Sequence, residues 1–129
     1  MSLGFDETLK SVAETLVANC RAHREMEGLA ELYAPDAVSV EAIAMDPNLP
    51  RETVGVDAIR GKHEWWKNTF DVSNEQVVGP YLYGDDRFSV IFNTHTVHRE
   101  SGEASDMSAI GVYTVRDGKI AREEFFYAL

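Results

Sequence analysis

Near the start of the chain, apolar residues recur three and four positions apart: Leu9, Val12, Ala13, Leu16, Val17 and Cys20. That spacing predicts an amphipathic helix whose other side carries Glu7, Lys10, Glu14 and Arg21. Asp6 stands where a capping side chain would start it. A second, shorter helix is predicted from about Glu25 to Tyr33, with Met26, Leu29, Ala30, Leu32 and Tyr33 apolar. Pro35 should stop it, and "APDA" should make the turn into a strand over "AVSVEAIA". The polar stretch "MDPNLPRETVG" reads as a loop that crosses a rim or covers an opening. Asp57 is placed to cap a third helix running to about Phe70, with Ile59, His63, Trp66 and Phe70 on its apolar face and Trp65 to one side.

From Gln76 onward the period changes from helical to alternating. "QVVGPYLYG", "RFSVIFNTHTVHR", "ASDMSAIGVYTV" and "KIAREEFFYAL" read as strands, separated by Gly84-Asp85-Asp86, Ser101-Gly102 and Asp117-Gly118. Helices first and an antiparallel meander afterwards is an α+β plan, with the helices on one face of a curved sheet. Neither an internal repeat nor a linker divides residues 1–129, so one domain is expected.

Composition narrows the partners. A net charge of −10 disfavours nucleic acid and anionic membranes, which are bound through Lys and Arg. The single cysteine, Cys20, forms no intrachain disulfide and reads as a buried, inert thiol. The first residues lack the basic start and apolar run of a secretory signal, and no segment reaches the ~20 apolar residues of a membrane span, so a cytoplasmic location is the expectation. The histidines and acids lack metal-ligand spacing, and neither a phosphate loop nor a nucleophile elbow is present. No metal and no cofactor are therefore expected.

Three segments, "LYAPDAVSVE", "GVDAIRGKHEWW" and "VYTVRDGKIAREEFFY", resemble the SnoaL-like branch of the nuclear transport factor 2-like superfamily. That superfamily also holds the ketosteroid isomerases. The resemblance spans nearly the whole chain and keeps the order of elements. It implies a cone-shaped α+β barrel, with three N-terminal helices packed in a strongly curved, mostly antiparallel sheet around a deep apolar pocket. It also implies a homodimer formed through the outer face of the sheet. It is specific for the fold and a poor guide to the reaction, because such folds host enzymes, binders and assembly domains alike.

Residue by residue, the resemblance points first to Glu41. In the isomerase-like enzymes the strand after a "YA-x-DA" turn ends in a general base, and counting from "YAPDA" reaches Glu41. A carboxylate in an apolar cavity is a better base near neutrality, because burial raises its pKa. The rest of the isomerase apparatus is absent: the oxyanion-stabilising tyrosine aligns near Val17 and the second acid near Gly111. His95 is another candidate. If Ser101-Gly102 is a two-residue turn, His95 lies opposite Ser108 with Asp106 as a diagonal neighbour, a pairing suited to acid/base work or to an outward-facing interface. The opposite face would carry Thr94, Thr96, Met107, Ala109, Gly111 and Tyr113, small or apolar residues suited to a cavity or a plain core. Tyr33, Trp66 and Phe70 could close that cavity, and His63 reads as a core histidine.

The adjacent pair Glu123 and Glu124 must point to opposite faces of the last strand. Glu123, Phe125 and Tyr127 share one face, Arg122, Glu124 and Phe126 the other. By comparison with the isomerases the first set points inward, which makes Glu123 a second candidate acid or base and Phe125 and Tyr127 candidate ligand contacts. Three functions stay open at this point. One is carboxylate-mediated proton transfer on a small apolar carbonyl compound, of isomerase, cyclase or dehydratase type. The others are non-catalytic binding of a small apolar ligand and a dimeric assembly module.

Overall fold

The computed structural model describes residues 7–44 and 46–128. Two helices come first, α1 (Glu7–Arg21) and α2 (Glu25–Leu32), followed by strands β1 (Tyr33–Val40) and β2 (Glu52–Val54), then helix α3 (Val56–Thr69). Four long strands complete the chain: β3 (Phe70–Tyr83), β4 (Arg87–His98), β5 (Ala104–Arg116) and β6 (Lys119–Phe126). The six strands form one open sheet in the order β2-β1-β6-β5-β4-β3. All neighbours are antiparallel except β1 and β6, which run parallel.

The apolar stripe of α1 is buried along its whole length, from Leu9 to Cys20. It packs with Leu29 of α2 and Ile59 of α3 against Val77, Phe88, Val90, Val115 and Ile120 of the sheet. Six α1 side chains are removed from water by this contact. At ~1.5–3 kcal/mol for each large aliphatic side chain, that burial outweighs any helix propensity. The Asp117-Gly118 turn has positive φ at both residues (53° and 77°), as a two-residue hairpin between right-twisted strands needs.

Several boundaries differ from the sequence reading. "APDA" is not a turn: β1 begins at Tyr33 directly after α2, and Pro35 lies inside it. Its pairing with β6 shifts register between Tyr33 and Val38, so the missing proline N–H is tolerated there. The strand then ends at Val40 rather than continuing to Ala44. Part of the polar loop forms β2, which pairs with β1. The third helix is preceded by Gly55 (φ 98°), with no side-chain cap, and Asp57 sits in its first turn. The expected Asp6 cap lies outside the described residues. The β4–β5 register is offset by two from the expected one: His95 faces Asp106 directly, and Asn93 faces Ser108. A shift of two preserves which residues share a face.

Among the described residues no helix is long and apolar enough to cross a membrane.

Candidate functional site

A cavity of about 200 Å³ lies between the helices and the concave face of the sheet. Alternation places its floor: Phe92 and Thr94 from β4, Met107, Ala109 and Tyr113 from β5, and Glu123 and Phe125 from β6. Helix α3 supplies Lys62, His63, Trp65 and Trp66 from one side, and α1 and α2 close the other.

Glu123 is the most buried charge, at 1% exposure. Its inward direction depends on a local irregularity. Ile120 and Glu123 are both buried although three residues apart, because the β5–β6 register shifts between Thr114 and Val115 and reverses the alternation at Ala121. Glu124 accordingly points away and pairs with Arg122 at 2.8 Å. Burial pushes the Glu123 carboxyl up to about 7. The nearby Lys62 ammonium and the Tyr33 and Ser39 hydroxyls favour the ionised form, and the Glu41 charge opposes it. One of its oxygens, Oε1, is buried with no hydrogen-bond partner.

Glu41 continues the inward alternation of Ala37 and Ser39 just past β1. Its backbone is held by the returning loop: Glu41 N–H donates to the Arg51 carbonyl at 2.8 Å, and Arg51 Nε donates to the Glu41 carbonyl at 3.1 Å. The Glu41 carboxylate accepts from Lys62 Nζ at 2.6 Å and from the Tyr127 hydroxyl at 3.1 Å. Lys62 also donates to Ser39 Oγ, and its ammonium stands 5.3 Å from the centre of the Phe125 ring. Burial and the adjacent Glu41 charge push the Tyr127 hydroxyl up to about 12, so it stays a proton donor.

The cavity therefore gathers both candidate carboxylates, Glu41 and Glu123, with Tyr33, Trp66, Met107, Ala109, Tyr113, Phe125 and Tyr127. It does not include His95 or Phe70. His95 lies on the outer face, where Nδ1 sits 2.8 Å from Asp106 Oδ1, with that aspartate side chain 91% exposed. The couple exists, but the strand face it occupies looks away from the cavity. Phe70 follows α3 as the first residue of β3 and packs against Trp65, Trp66 and His98 instead of reaching the pocket.

Lys62 and Ser39 escaped the sequence reading. A lysine on an amphipathic helix reads as solvent-facing, yet Lys62 is three residues after Ile59 and four before Trp66, on the same face as both. That spacing was the available signal. Its side chain is only 16% exposed. Lys62 also supplies a hydrogen-bond donor that the isomerase comparison left missing. Val17 is packed in the core at 2% exposure. The space a side chain at Gly111 would need is filled, since a Cβ there would lie 2.9 Å from Tyr113 Cε2 and 3.2 Å from Phe125 Cε1.

Two further groups lining the cavity, Cys20 and His63, hold one protonation state near neutrality. Burial pushes the Cys20 thiol up to about 12, helped by the Glu25, Glu75 and Glu123 charges. His63 is brought down to about 4 by burial and by the Lys62 and Arg60 charges, so it is neutral. Among the described residues no three His, Cys, Asp or Glu side chains gather as a metal-binding group.

An open, curved sheet with helices packed on its concave face and a carboxylate-bearing cavity between them defines a nuclear transport factor 2-like protein. The chain matches the SnoaL-like domain family over residues 13–123 and belongs to that family. Among solved structures it is similar to a Mesorhizobium loti protein named as a SnoaL-like polyketide cyclase. The two are 30% identical, with a TM-score of 0.83, over 92% of this chain and 97% of that one. A Burkholderia pseudomallei NTF2-like protein of unknown function shares the fold at 13% identity and a TM-score of 0.78, covering 95% of this chain and 92% of that one. So does TerC, co-crystallised with polyporic acid, at 18% identity and a TM-score of 0.75, over 95% and 92% of the two chains. No curated protein matches the sequence.

Proposed function

We propose that the chain is a small-molecule enzyme that moves a proton on a carbonyl-bearing substrate inside this cavity. The observation that carries the reading is a carboxyl at 1% exposure, with an unpartnered oxygen, in a cavity that also holds the Lys62–Glu41 ion pair. A carboxyl titrating near neutrality is matched to both taking and returning a proton. In the proposed step Glu123 accepts the proton from the carbon next to the carbonyl. The C–H electron pair moves into the new carbon–carbon double bond, and the carbonyl π pair moves to oxygen. Lys62 donates a hydrogen bond to that oxygen, which is where charge develops. Glu41 and Tyr127 position Lys62. Where a carbon–carbon double bond adjoins the deprotonated carbon, the electron pair extends through it, and return of the proton from Glu123 to its far carbon completes an isomerisation.

The test is solvent deuterium exchange next to the carbonyl of small ketones, followed by mass spectrometry at pH 7. Exchange should be seen with the native chain and lost with Glu123→Gln. Unchanged exchange in both Glu123→Gln and Glu41→Gln would remove the reading.

One observation favours a second reading, a non-catalytic binder. Both positions that carry the isomerase apparatus in the resemblance, Val17 and Gly111, are given over to apolar packing. Ligand retention without any exchange would select it.

The proposal extends to a cytoplasmic homodimer joined through the outer sheet face. In its support, Val78, Ile91, Ile110 and Phe126 stand in register across β3, β4, β5 and β6. Three of them are well exposed, at 36%, 44% and 52% for Val78, Ile110 and Phe126. An apolar stripe of that kind suits burial against a second copy. Sedimentation of a monomer at high concentration would contradict it.

A further inference from the structure

Among the described residues two buried side-chain oxygens lack a hydrogen-bond partner, Glu123 Oε1 and Glu25 Oε2. Both residues line the same cavity. A buried carboxylate oxygen without a donor is costly, so two of them facing one space call for a common explanation.

The carboxylates around the cavity fall into two groups. Glu41 and Lys62 act on Glu123. Glu41 follows β1 and Glu123 lies on β6, whereas Glu75 lies on β3 at the far edge of the sheet, and Glu25 and Glu75 both act on Cys20. Glu25 sits in the first turn of α2. Glu75 arrives from the sheet: β3 carries one extra residue between Ser73 and Gln76 opposite the β4 segment His95–Asn93, and Asn74 there has φ 51°. That bulge turns Glu75 toward the cavity, which Glu25 also lines; burial and the Glu25 charge raise the Glu75 pKa, and the His23 charge opposes them.

Size and charge limit what can enter. A dry cavity of ~150 Å³ accommodates benzene, so about 200 Å³ holds roughly one ring with a few substituent atoms. Among the described residues four glutamates line the space against one lysine, with His63 neutral, so an anionic ligand is disfavoured. Trp65 and Trp66 offer aromatic walls to a ring.

We infer that the substrate is a single-ring carbonyl compound carrying a hydrogen-bond donor, a hydroxyl or an ammonium, at the end away from its carbonyl. The carbonyl end meets Glu123 and Lys62, and the donor end meets Glu25 and Glu75. This inference rests on the reading above for the position of the carbonyl.

The test is equilibrium binding by calorimetry at pH 7 with four probes: acetophenone, 4-hydroxyacetophenone, 4-(aminomethyl)acetophenone and 4-acetylbenzoate. One or both of the donor-bearing probes should bind about tenfold or more tighter than acetophenone, with 4-acetylbenzoate weakest. Whichever donor wins names the group. Glu25→Leu should reduce the preference to about twofold or less. Glu25→Gln keeps a neutral acceptor, so it should retain a hydroxyl preference and weaken an ammonium preference; if the leucine variant fails to fold, that split decides. Equal affinity for acetophenone and both donor probes would overturn the inference. So would a preference that survives in both variants with the hydroxyl-to-ammonium ratio unmoved, or failure of every probe to bind at millimolar concentration. Binding needs no turnover, so the two proposals fail separately. Donor preference without deuterium exchange would sink only the enzymatic reading, and exchange without donor preference only this one.

Discussion

One ion pair on the inner side of the sheet and one on its outer face have nearly equal length and very different surroundings. On the inner face Lys62 meets Glu41 at 2.6 Å, with side chains 16% and 14% exposed. On the outer face His95 meets Asp106 at 2.8 Å, with side chains 36% and 91% exposed. Distance alone does not separate them. Burial does, because water screens the outer pair, whereas the inner pair interacts in a medium of lower dielectric. A histidine–aspartate couple looks like acid/base machinery in a sequence, but here it lies outside the cavity, on the outer face of the sheet. The groups proposed to work are a glutamate turned inward by a one-residue irregularity and a lysine buried on an apolar helix face.

The strongest way to break the comparison is Glu123→Gln. It should lower deuterium exchange by about 10²- to 10⁴-fold, the range for loss of a general acid or base, while the fold persists. Lys62→Met comes next. It leaves the Glu41 charge with only Tyr127 as partner, so chemical denaturation should show a loss of about 3 kcal/mol. The double variant with Glu41→Gln should recover most of that loss. Gly111→Ala is expected to cost about 1–2 kcal/mol, since its Cβ would press on Tyr113, which is itself stacked on Phe88 at 4.8 Å. His95→Ala should change stability by less than about 0.5 kcal/mol and leave exchange untouched. A large effect there would mean the outer pair does more than its exposure suggests.

Much of this was legible in the residues. The α1 stripe follows directly from apolar spacing, and the Asp117-Gly118 turn from its dipeptide. The two faces of β4 and β5 came out correctly even though the hairpin register was off by two, because strand side chains repeat with period two. Glu123 was legible as an inward acid only through the family resemblance, because the irregularity at Ala121 breaks the plain alternation along β6. What stayed hidden depended on long-range context. Pro35 looks like a helix stop followed by a turn, and only the parallel pairing with β6 shows that it can sit in a strand. Lys62 looks solvated until Glu41 and Ser39, about twenty residues earlier in sequence, arrive beside it. The bulge that turns Glu75 inward has no local signature apart from Asn74, a residue tolerant of positive φ. Phe70 fits the helical spacing but falls one residue past the helix, where the strand direction takes over.

The central claim is that Glu123 holds its proton to near neutrality inside the fold. Linkage gives a consequence for stability. The folded-state value of about 7 stands above the usual glutamate value near 4.5, so the folded chain binds the extra proton between those limits. Stability is therefore greatest below about pH 4.5 as far as this group is concerned, and it declines as pH rises toward 7, by roughly 3 kcal/mol in total. Glu123→Gln should lack that decline. The most direct measurement is a carboxyl-carbon NMR titration of glutamate-labelled protein, with Glu123 assigned by its loss in Glu123→Gln. A midpoint close to pH 7 is the predicted result. A midpoint in the ordinary carboxylate range, about 4 to 5, would contradict the account.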